Sequence, residues 1–502
     1  MTDMQQTAKP GRAGGKTGII VVGVIIAVIA AAAIYISGLS PQESKNLLYM
    51  AQDFLPIIMF LTLAFLLFSG FPVAFILGGL AMGFGVLGYF LGSFSLIEFF
   101  NFLPRIWGQA AENLVLVAVP AFVFMGIMME RSGIAQDLLY CVQVLLKRVP
   151  GSLALGVTIM GTILAAMTGI IGASVTMMTA LALPTMLRQK YSKELACGVI
   201  AASGTLGILI PPSIMLIIMA DLMSVSVGNV FMAALLPGLC LAAFYIMYVV
   251  VRATINPNMA PPLPPELLKV EPGQMMPMLL KAFLPPVFLI GLIKGGILVG
   301  FVTPSEAGAL GAFGALVLAI VNRRLGHGVL SSVAQSCAKT VSMIFYILIA
   351  ATSFAYVYRS LGGDDIIEHL ILEAGLDSWG LLFLIMFICF ALGFFLDWIE
   401  ITLIVLPVFA PLVAGLDFGD HVAREDITYW FIILIAVNLQ TSFLTPPFGF
   451  ALFYLKGIAP KEIKIQNIYK GIIPFVILQV CAVAVVVAYP DAALWMMHKA
   501  YG

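Results

Sequence analysis

Oxygen-bearing side chains and glycines gather at four places in an otherwise apolar chain. Gly172 and Ser174 lie at the first, and Ser203, Gly204, Thr205 and Gly207 at the second. Asp397 lies at the third, and Gln440, Thr441 and Thr445 at the fourth. Carbonyls, hydroxyls and carboxylates are hard ligands and suit hard cations. A sodium ion fits this donor chemistry, with the first two places as one candidate set and the last two as another. Each set belongs to one half of the chain, so two separate sites are expected. Asp397 is the sharpest candidate, because an acid inside an apolar stretch is expensive and marks function by default. Its alternative is a helix cap. For each Ser or Thr the alternative is a back-bond to its own helix. Glu306, beside Thr303 and Pro304, fits a cap as well as an ion role.

Two of these places are broken membrane spans. Residues 202–220 are long enough to cross a bilayer, but Gly204, Gly207, Pro211 and Pro212 interrupt the helix. Residues 438–454 carry a second such break at Thr445-Pro446-Pro447. Freed backbone groups are tolerated in hydrocarbon only against protein or a wet cavity. There the carbonyls can hold a cation and a half-helix N-terminus can face an anion. Pro211, Pro212, Ser213, Pro446 and Pro447 therefore mark the vicinity of a solute. The other two places are re-entrant hairpins. Residues 152–187 and 380–415 are too long for one span, and each has a polar or glycine-bearing centre, at 168–174 and 393–397.

Composition sets the class. The 502 residues are 62% hydrophobic and only 10% charged, where a soluble chain carries roughly 25%. The chain is an all-α polytopic membrane protein in a lipid bilayer. Zero formal net charge gives no sign of nucleic-acid binding. The six cysteines are dispersed, and the four histidines fall in expected loops or tails, so no transition-metal or redox site is indicated. No catalytic or nucleotide-binding motif is present. The chain does not read as an enzyme, and transport energy would come from an ion gradient.

Loop charge orients the spans, since cytoplasmic loops hold the excess of Lys and Arg. With the N-terminus inside, 19 of the 25 basic residues fall on the cytoplasmic side; Lys45, Arg105, Lys294, Arg359, Arg424 and Lys499 do not. Basic residues flank the first hairpin and acidic residues the second, so the hairpins enter from opposite faces. Motifs also recur in order. Phe71-Pro72 answers Thr303-Pro304, Arg131-Ser132 answers Arg359-Ser360, and Pro211 answers Pro446. The expected fold is two inverted-topology repeats, each with five spans and a re-entrant hairpin, plus an extra N-terminal span.

The boundaries follow. A cytoplasmic tail covers 1–17 and the extra span 18–38. The span's apolar run of about 20 residues exceeds the 7–15 of a cleaved leader. The first repeat covers 54–252 with its hairpin at 152–187, and a Pro-rich cytoplasmic linker covers 253–280. The second repeat covers 281–490 with its hairpin at 380–415, and a periplasmic tail covers 491–502.

Four motifs together resemble a known family. They are Gly204-Thr205-Leu206-Gly207-Ile208-Leu209-Ile210-Pro211-Pro212-Ser213, Thr303-Pro304-Ser305-Glu306-Ala307, Phe395-Leu396-Asp397, and Asn438-Leu439-Gln440 followed by Leu444-Thr445-Pro446-Pro447. They resemble the large permease subunit of tripartite ATP-independent periplasmic (TRAP) transporters, over about residues 54–490. The resemblance implies an elevator-type, sodium-driven importer of organic acids in the bacterial inner membrane. It implies two partners: a small four-helix membrane subunit and a periplasmic substrate-binding protein. The first hairpin departs from the family's common tip, which is similar to Ser-Gly-Ser-Ser, by carrying Ala173 at one serine position. No small-subunit block precedes residue 54, so that subunit is expected on a separate chain. The alternative function is a stand-alone ion-coupled carboxylate carrier or antiporter of the same architecture. A channel fits less well, because polar residues concentrate at one depth rather than along a path.

Overall fold

The computed structural model describes residues 41–146, 149–168, 171–262, 276, 280, 283–326, 328–446 and 449–501. The stretches expected as a tail at 1–17 and a span at 18–38, most of the linker, and Pro447 lie outside the described residues. Helix is the only regular structure among the described residues. Hydrocarbon favours that outcome, because a helix satisfies its backbone groups within one segment.

In the first half, α1 (Pro41–Leu67) and α2 (Val73–Leu91) are continuous, and α1 begins well before residue 54. The span expected at 115–130 is one limb of a bent pair, in which Leu96–Ala111 meets Val115–Arg131 at 55°. Its main helix is α3 (Ala118–Arg131), followed by the amphipathic α4 (Ile134–Leu145). α5 (Ser152–Thr168) and α6 (Ile171–Arg188) are the arms of the first hairpin. α7 (Lys193–Thr205) and α8 (Ile214–Leu222) are the limbs of the first broken span, and α9 (Val227–Ile255) closes the half.

The second half follows the same order. α10 (Leu284–Leu298), α11 (Pro304–Val321) and the long α12 (Val329–Ser360) lead to the amphipathic α13 (Gly363–Glu373). α14 (Ser378–Leu392) and α15 (Trp398–Ala414) form the second hairpin. α16 (Ile427–Ser442) and α17 (Phe450–Ile458) form the second broken span, and α18 (Ile465–Ala488) follows. Residues 491–502, expected as a tail, carry instead a helix, α19 (Asp491–Tyr501), that packs on α9. Its Ala493, Leu494 and Met497 are buried, and His498 Nε2 lies 2.9 Å from Asp426 Oδ2. His369 likewise sits in a helix, α13, rather than a loop.

Among the described residues seven helices are long and apolar enough to cross a membrane, or eight if the bent pair is one span. α10, α14, α15 and α16 are apolar but shorter than a full span, whereas α6, an arm of the first hairpin, is one of the seven. The halves interlock. α2 packs along α12 and α3 along α11; α7 packs along α18 and α9 along α16. α8 lies on α15, while α17 lies on α6. Each pairing has a counterpart in which the halves exchange roles.

The centre is the broken-span pair. α7 is buried from Leu195 through Thr205, and α16 from Trp430 through Ser442. A helix apolar on all sides belongs in such a place. α1 contrasts with it, leaving Phe54, Leu61 and Phe65 exposed, as a lipid-facing helix does. Glycine permits the closest approach in the core. A Cβ on Gly198 of α7 would lie 2.1 Å from the Gly471 carbonyl oxygen of α18, and one on Gly471 would lie 2.1 Å from the Glu194 carbonyl oxygen. Small residues let helix backbones meet in this way. Gly198→Ala must push α7 from α18 and is expected to destabilise the chain by about 1–3 kcal/mol. Gly83→Ala, with nothing within 4 Å of its Cβ, serves as the neutral control. Unfolding midpoints of the two variants in detergent check this; equal midpoints would refute the close-contact account.

Candidate functional site

The first broken span is spliced by Ser213. Its Oγ donates to the Ile208 carbonyl at 2.6 Å and accepts from Leu216 N at 3.5 Å. One side chain thus satisfies a carbonyl freed by the break and caps α8. Pro211 and Pro212 form the bend, joined by a cis peptide bond, and both are buried. The second break is closed by Ala451 N, which donates to the Phe443 carbonyl at 3.2 Å across a turn at Gly449 (φ 47°). Pro446 is half-buried in this break. Asn438 Nδ2 donates to the Met386 carbonyl at 2.7 Å, and Ser442 Oγ to the Phe390 carbonyl at 2.6 Å. These two bonds fasten α16 to the first arm of the second hairpin.

The two expected cation sets touch at one side-chain bond. Gln440 Nε2 donates to Thr205 Oγ1 at 3.4 Å, joining the broken spans at the centre of the molecule. Thr205 Oγ1 itself donates to the Ala202 carbonyl at 2.9 Å. Among the described residues, Ser203 Oγ and Gln440 Oε1 are buried oxygens with no hydrogen-bond partner. Thr402 Oγ1, on α15, is another, and sequence reasoning missed it because a lone Thr in an apolar helix gives no signal. An unpartnered buried polar atom costs about 1–3 kcal/mol, so each calls for a partner. These donors are all oxygen, and the residues present fit an alkali cation.

At the first hairpin tip, Ser174 is buried and Gly172 packs against Tyr454, where an added Cβ would lie 2.7 Å from the ring. A Cβ on Gly204 would lie 2.4 Å from Val175 Cγ2, so α7 presses closely on α6. Gly207 is buried in the turn after α7. At the second tip, Asp397 is the N-cap of α15. Its Oδ1 accepts from Trp398 N at 2.8 Å, and Glu400 Oε2 accepts from Asp397 N at 3.2 Å. Thr441 and Thr445 donate to the carbonyls four residues back, at 3.0 and 2.8 Å. A hydroxyl that donates to its own helix keeps lone pairs for a cation, and a capping carboxylate keeps its second oxygen. The local bonds and ligation are therefore compatible. Glu306 is a cap, accepting from Thr303 N at 2.7 Å. Tyr454 of α17 packs on the first hairpin tip.

Comparison with known proteins gives this geometry a context. Residues 60–492 match the family model of the tripartite ATP-independent periplasmic transporter, DctM component. The chain belongs to this family. The permease is 28% identical over 352 residues to the C4-dicarboxylate TRAP transporter large permease protein of Pseudomonas aeruginosa, covering 70% of this chain and 79% of that protein. It is 28% identical over 430 residues to the 2,3-diketo-L-gulonate TRAP transporter large permease protein of Escherichia coli, covering 83% and 96%. These relatives are transporter permeases, not enzymes. Among solved structures, the YdaH transporter of Alcanivorax borkumensis shares the fold, with TM-score 0.52, 13% identity, and coverage of 80% of this chain and 88% of that one.

Ser213→Ala removes a cap and a buried carbonyl's partner together. The permease is expected to lose about 2 kcal/mol. Ser226→Ala, at the exposed cap of α9, should lose less. Unfolding midpoints of the purified variants check the order; a reversed order would contradict the splicing role.

Proposed function

We propose that the permease is the large subunit of a sodium-coupled importer that takes an organic acid across the bacterial inner membrane by an elevator movement. The observation that carries this reading is the oxygen-rich centre where the broken spans meet, with Thr205 bonded to Gln440 Nε2 and with Ser203 Oγ and Gln440 Oε1 unpartnered. One sodium would sit near Gly172, Ser174, Ser203, Gly204, Thr205 and Gly207, and another near Asp397, Gln440, Thr441 and Thr445. Pro211, Pro212, Ser213, Pro446 and Pro447 would flank the solute. The role-exchanging helix pairs support a repeat, and the loop charges favour inverted halves with the N-terminus cytoplasmic and the C-terminus periplasmic. In the elevator, hairpins and broken spans would move as a body against the frame of α2, α3, α11 and α12.

The organic-acid cargo follows relatives that carry C4-dicarboxylate, 2,3-diketo-L-gulonate or sialic acid in their names. A periplasmic binding protein would deliver it. The small membrane subunit would be a second chain, although the isethionate TRAP permease protein DctMQ of Oleidesulfovibrio alaskensis, matched over 69% of its length, is also a relative. The fold likeness to YdaH keeps a stand-alone carrier as the second reading. Sodium-driven accumulation by the permease reconstituted alone would favour it.

The decisive measurement is uptake rate against sodium concentration in the complete reconstituted system. Asn caps a helix about as well as Asp, so Asp397→Asn keeps the α15 start while removing the charge. Half-saturating sodium is expected to rise by about 10–100-fold, the scale of changes around bound metals. Thr205→Val and Thr445→Val should shift it in the same direction. Unchanged half-saturation in all three folded variants would overturn the sodium assignment.

A further inference from the structure

Two arginines stand apart from the oxygen centre and converge on one cavity. Arg105 and Arg359 are two of the few basic residues that fall outside the cytoplasmic set. They line a cavity of about 370 Å³ together with Gln109, Thr352, Tyr356 and Pro407. That volume lies in the ~300–1,000 Å³ range of small-molecule sites. Four parts of the fold build it: the limb before the 55° bend, Leu222 at the end of α8, the second half of α12, and the second arm of the second hairpin, α15. It therefore opens between the proposed frame and the proposed moving body.

Both guanidinium groups are held in place without being used up. Arg105 sits 4.3 Å above the Tyr356 ring, and among the described residues it forms no ion pair. Tyr356 is fixed in turn by Asn101 Nδ2, which donates to its hydroxyl at 3.2 Å, and by Phe102, edge-on at 5.6 Å. Arg359 Nε lies 3.5 Å from Asp364 Oδ2, and its Nη2 donates to the Pro407 carbonyl. That carbonyl needs an outside donor, because Pro411, four residues on, has no N–H to give. Asp364 pairs with Arg359, and the other acids nearby are hydrogen-bonded by neutral side chains. Asp221 accepts from Asn113 Nδ2 at 2.8 Å and from Gln109 Nε2 at 3.4 Å, and Glu112 accepts from Trp107 Nε1 at 2.8 Å. Among the described residues the cavity thus presents one guanidinium without an ion pair, Arg105, and one shared with Asp364, Arg359. A planar guanidinium matches a carboxylate with two parallel bonds.

We propose that this cavity is a carboxylate-binding subsite in which Arg105 and Arg359 receive the anionic group of the transported solute. The proposal rests on the transport reading above and adds to it an address for the solute distinct from the oxygen centre.

The test uses the full chain in nanodiscs of a zwitterionic lipid, labelled with the arginine reagent phenylglyoxal and read by peptide mass spectrometry. Succinate is the probe and succinamide its uncharged analogue. Succinate should slow modification of Arg105 and Arg359 but not of exposed Arg424, and succinamide should protect neither. In Arg105→Gln, which leaves the Arg359–Pro407 bond in place, the succinate concentration that half-protects Arg359 should rise about 10–100-fold, the loss of one charge-assisted contact. Equal modification with and without succinate, or equal protection by succinamide, overturns the subsite. Protection by anionic lipid alone assigns the cavity to a headgroup and also overturns it. The sodium-induced rise in unfolding midpoint, measured on the same samples, separates the two readings. A rise without succinate protection sinks the subsite and leaves sodium coupling standing. Protection without a rise does the reverse.

Discussion

Backbone hydrogen bonding at the two breaks is the constraint on which the structure depends. A span that stops being helical inside hydrocarbon strands donors and acceptors that no lipid can satisfy. Here the repair is local and economical. Ser213 serves both limbs of the first break, and Ala451 N reaches back to Phe443 across the second. Two polar side chains of α16, Asn438 and Ser442, bond the first arm of the second hairpin. Among the buried side-chain oxygens left without a partner, Ser203 Oγ and Gln440 Oε1 belong to the two broken spans. That is where chemistry becomes affordable.

The same accounting explains a tie between the two parts of the molecule. Pro411 leaves the Pro407 carbonyl without a helical donor, and Arg359, from the neighbouring α12, supplies one. A proline in α15 thus creates a demand that only another element can meet. Asp364 then takes the other edge of the guanidinium, at the start of α13. On the opposite half, Asp137 of α4 pairs with Arg324 at 3.2 Å. Each amphipathic helix is therefore held by an arginine of the second half, and each lies beside a hairpin it could steer.

Much of this was legible in the sequence where the cause is local. Pro211-Pro212 and Pro446-Pro447 break helices by their own covalent structure, and hairpin tips announce themselves by glycine and by Asp397 among apolar neighbours. The caps at Thr303 and Asp397 follow from side-chain reach alone. What the sequence did not disclose depends on how helices cross. Gln440 meets Thr205 only because α7 and α16 pass each other at the core. Tyr454 reads as one more aromatic until α17 lays it on Gly172. Arg105 and Arg359 belong to different halves, and the bend before α3 is what brings the first toward the second. Residues 491–502 read as a tail because the stretch is too short to span a bilayer; the burial of Ala493, Leu494 and Met497 comes with packing on α9.

The glycine contact between α7 and α18 also bears on how the protein is made. Glu194 and Asn467, bonded at 2.6 Å beside that contact, are 273 residues apart. At about 5–20 residues per second, that separation of 273 residues puts roughly 14–55 s between the emergence of the two helices from the ribosome. Throughout that interval α7 has entered the bilayer without the helix that covers Gly198. The first half cannot reach its final packing until the last long span arrives, so assembly waits for the end of translation. A chain truncated before α18 would expose that groove to lipid and to quality-control proteases.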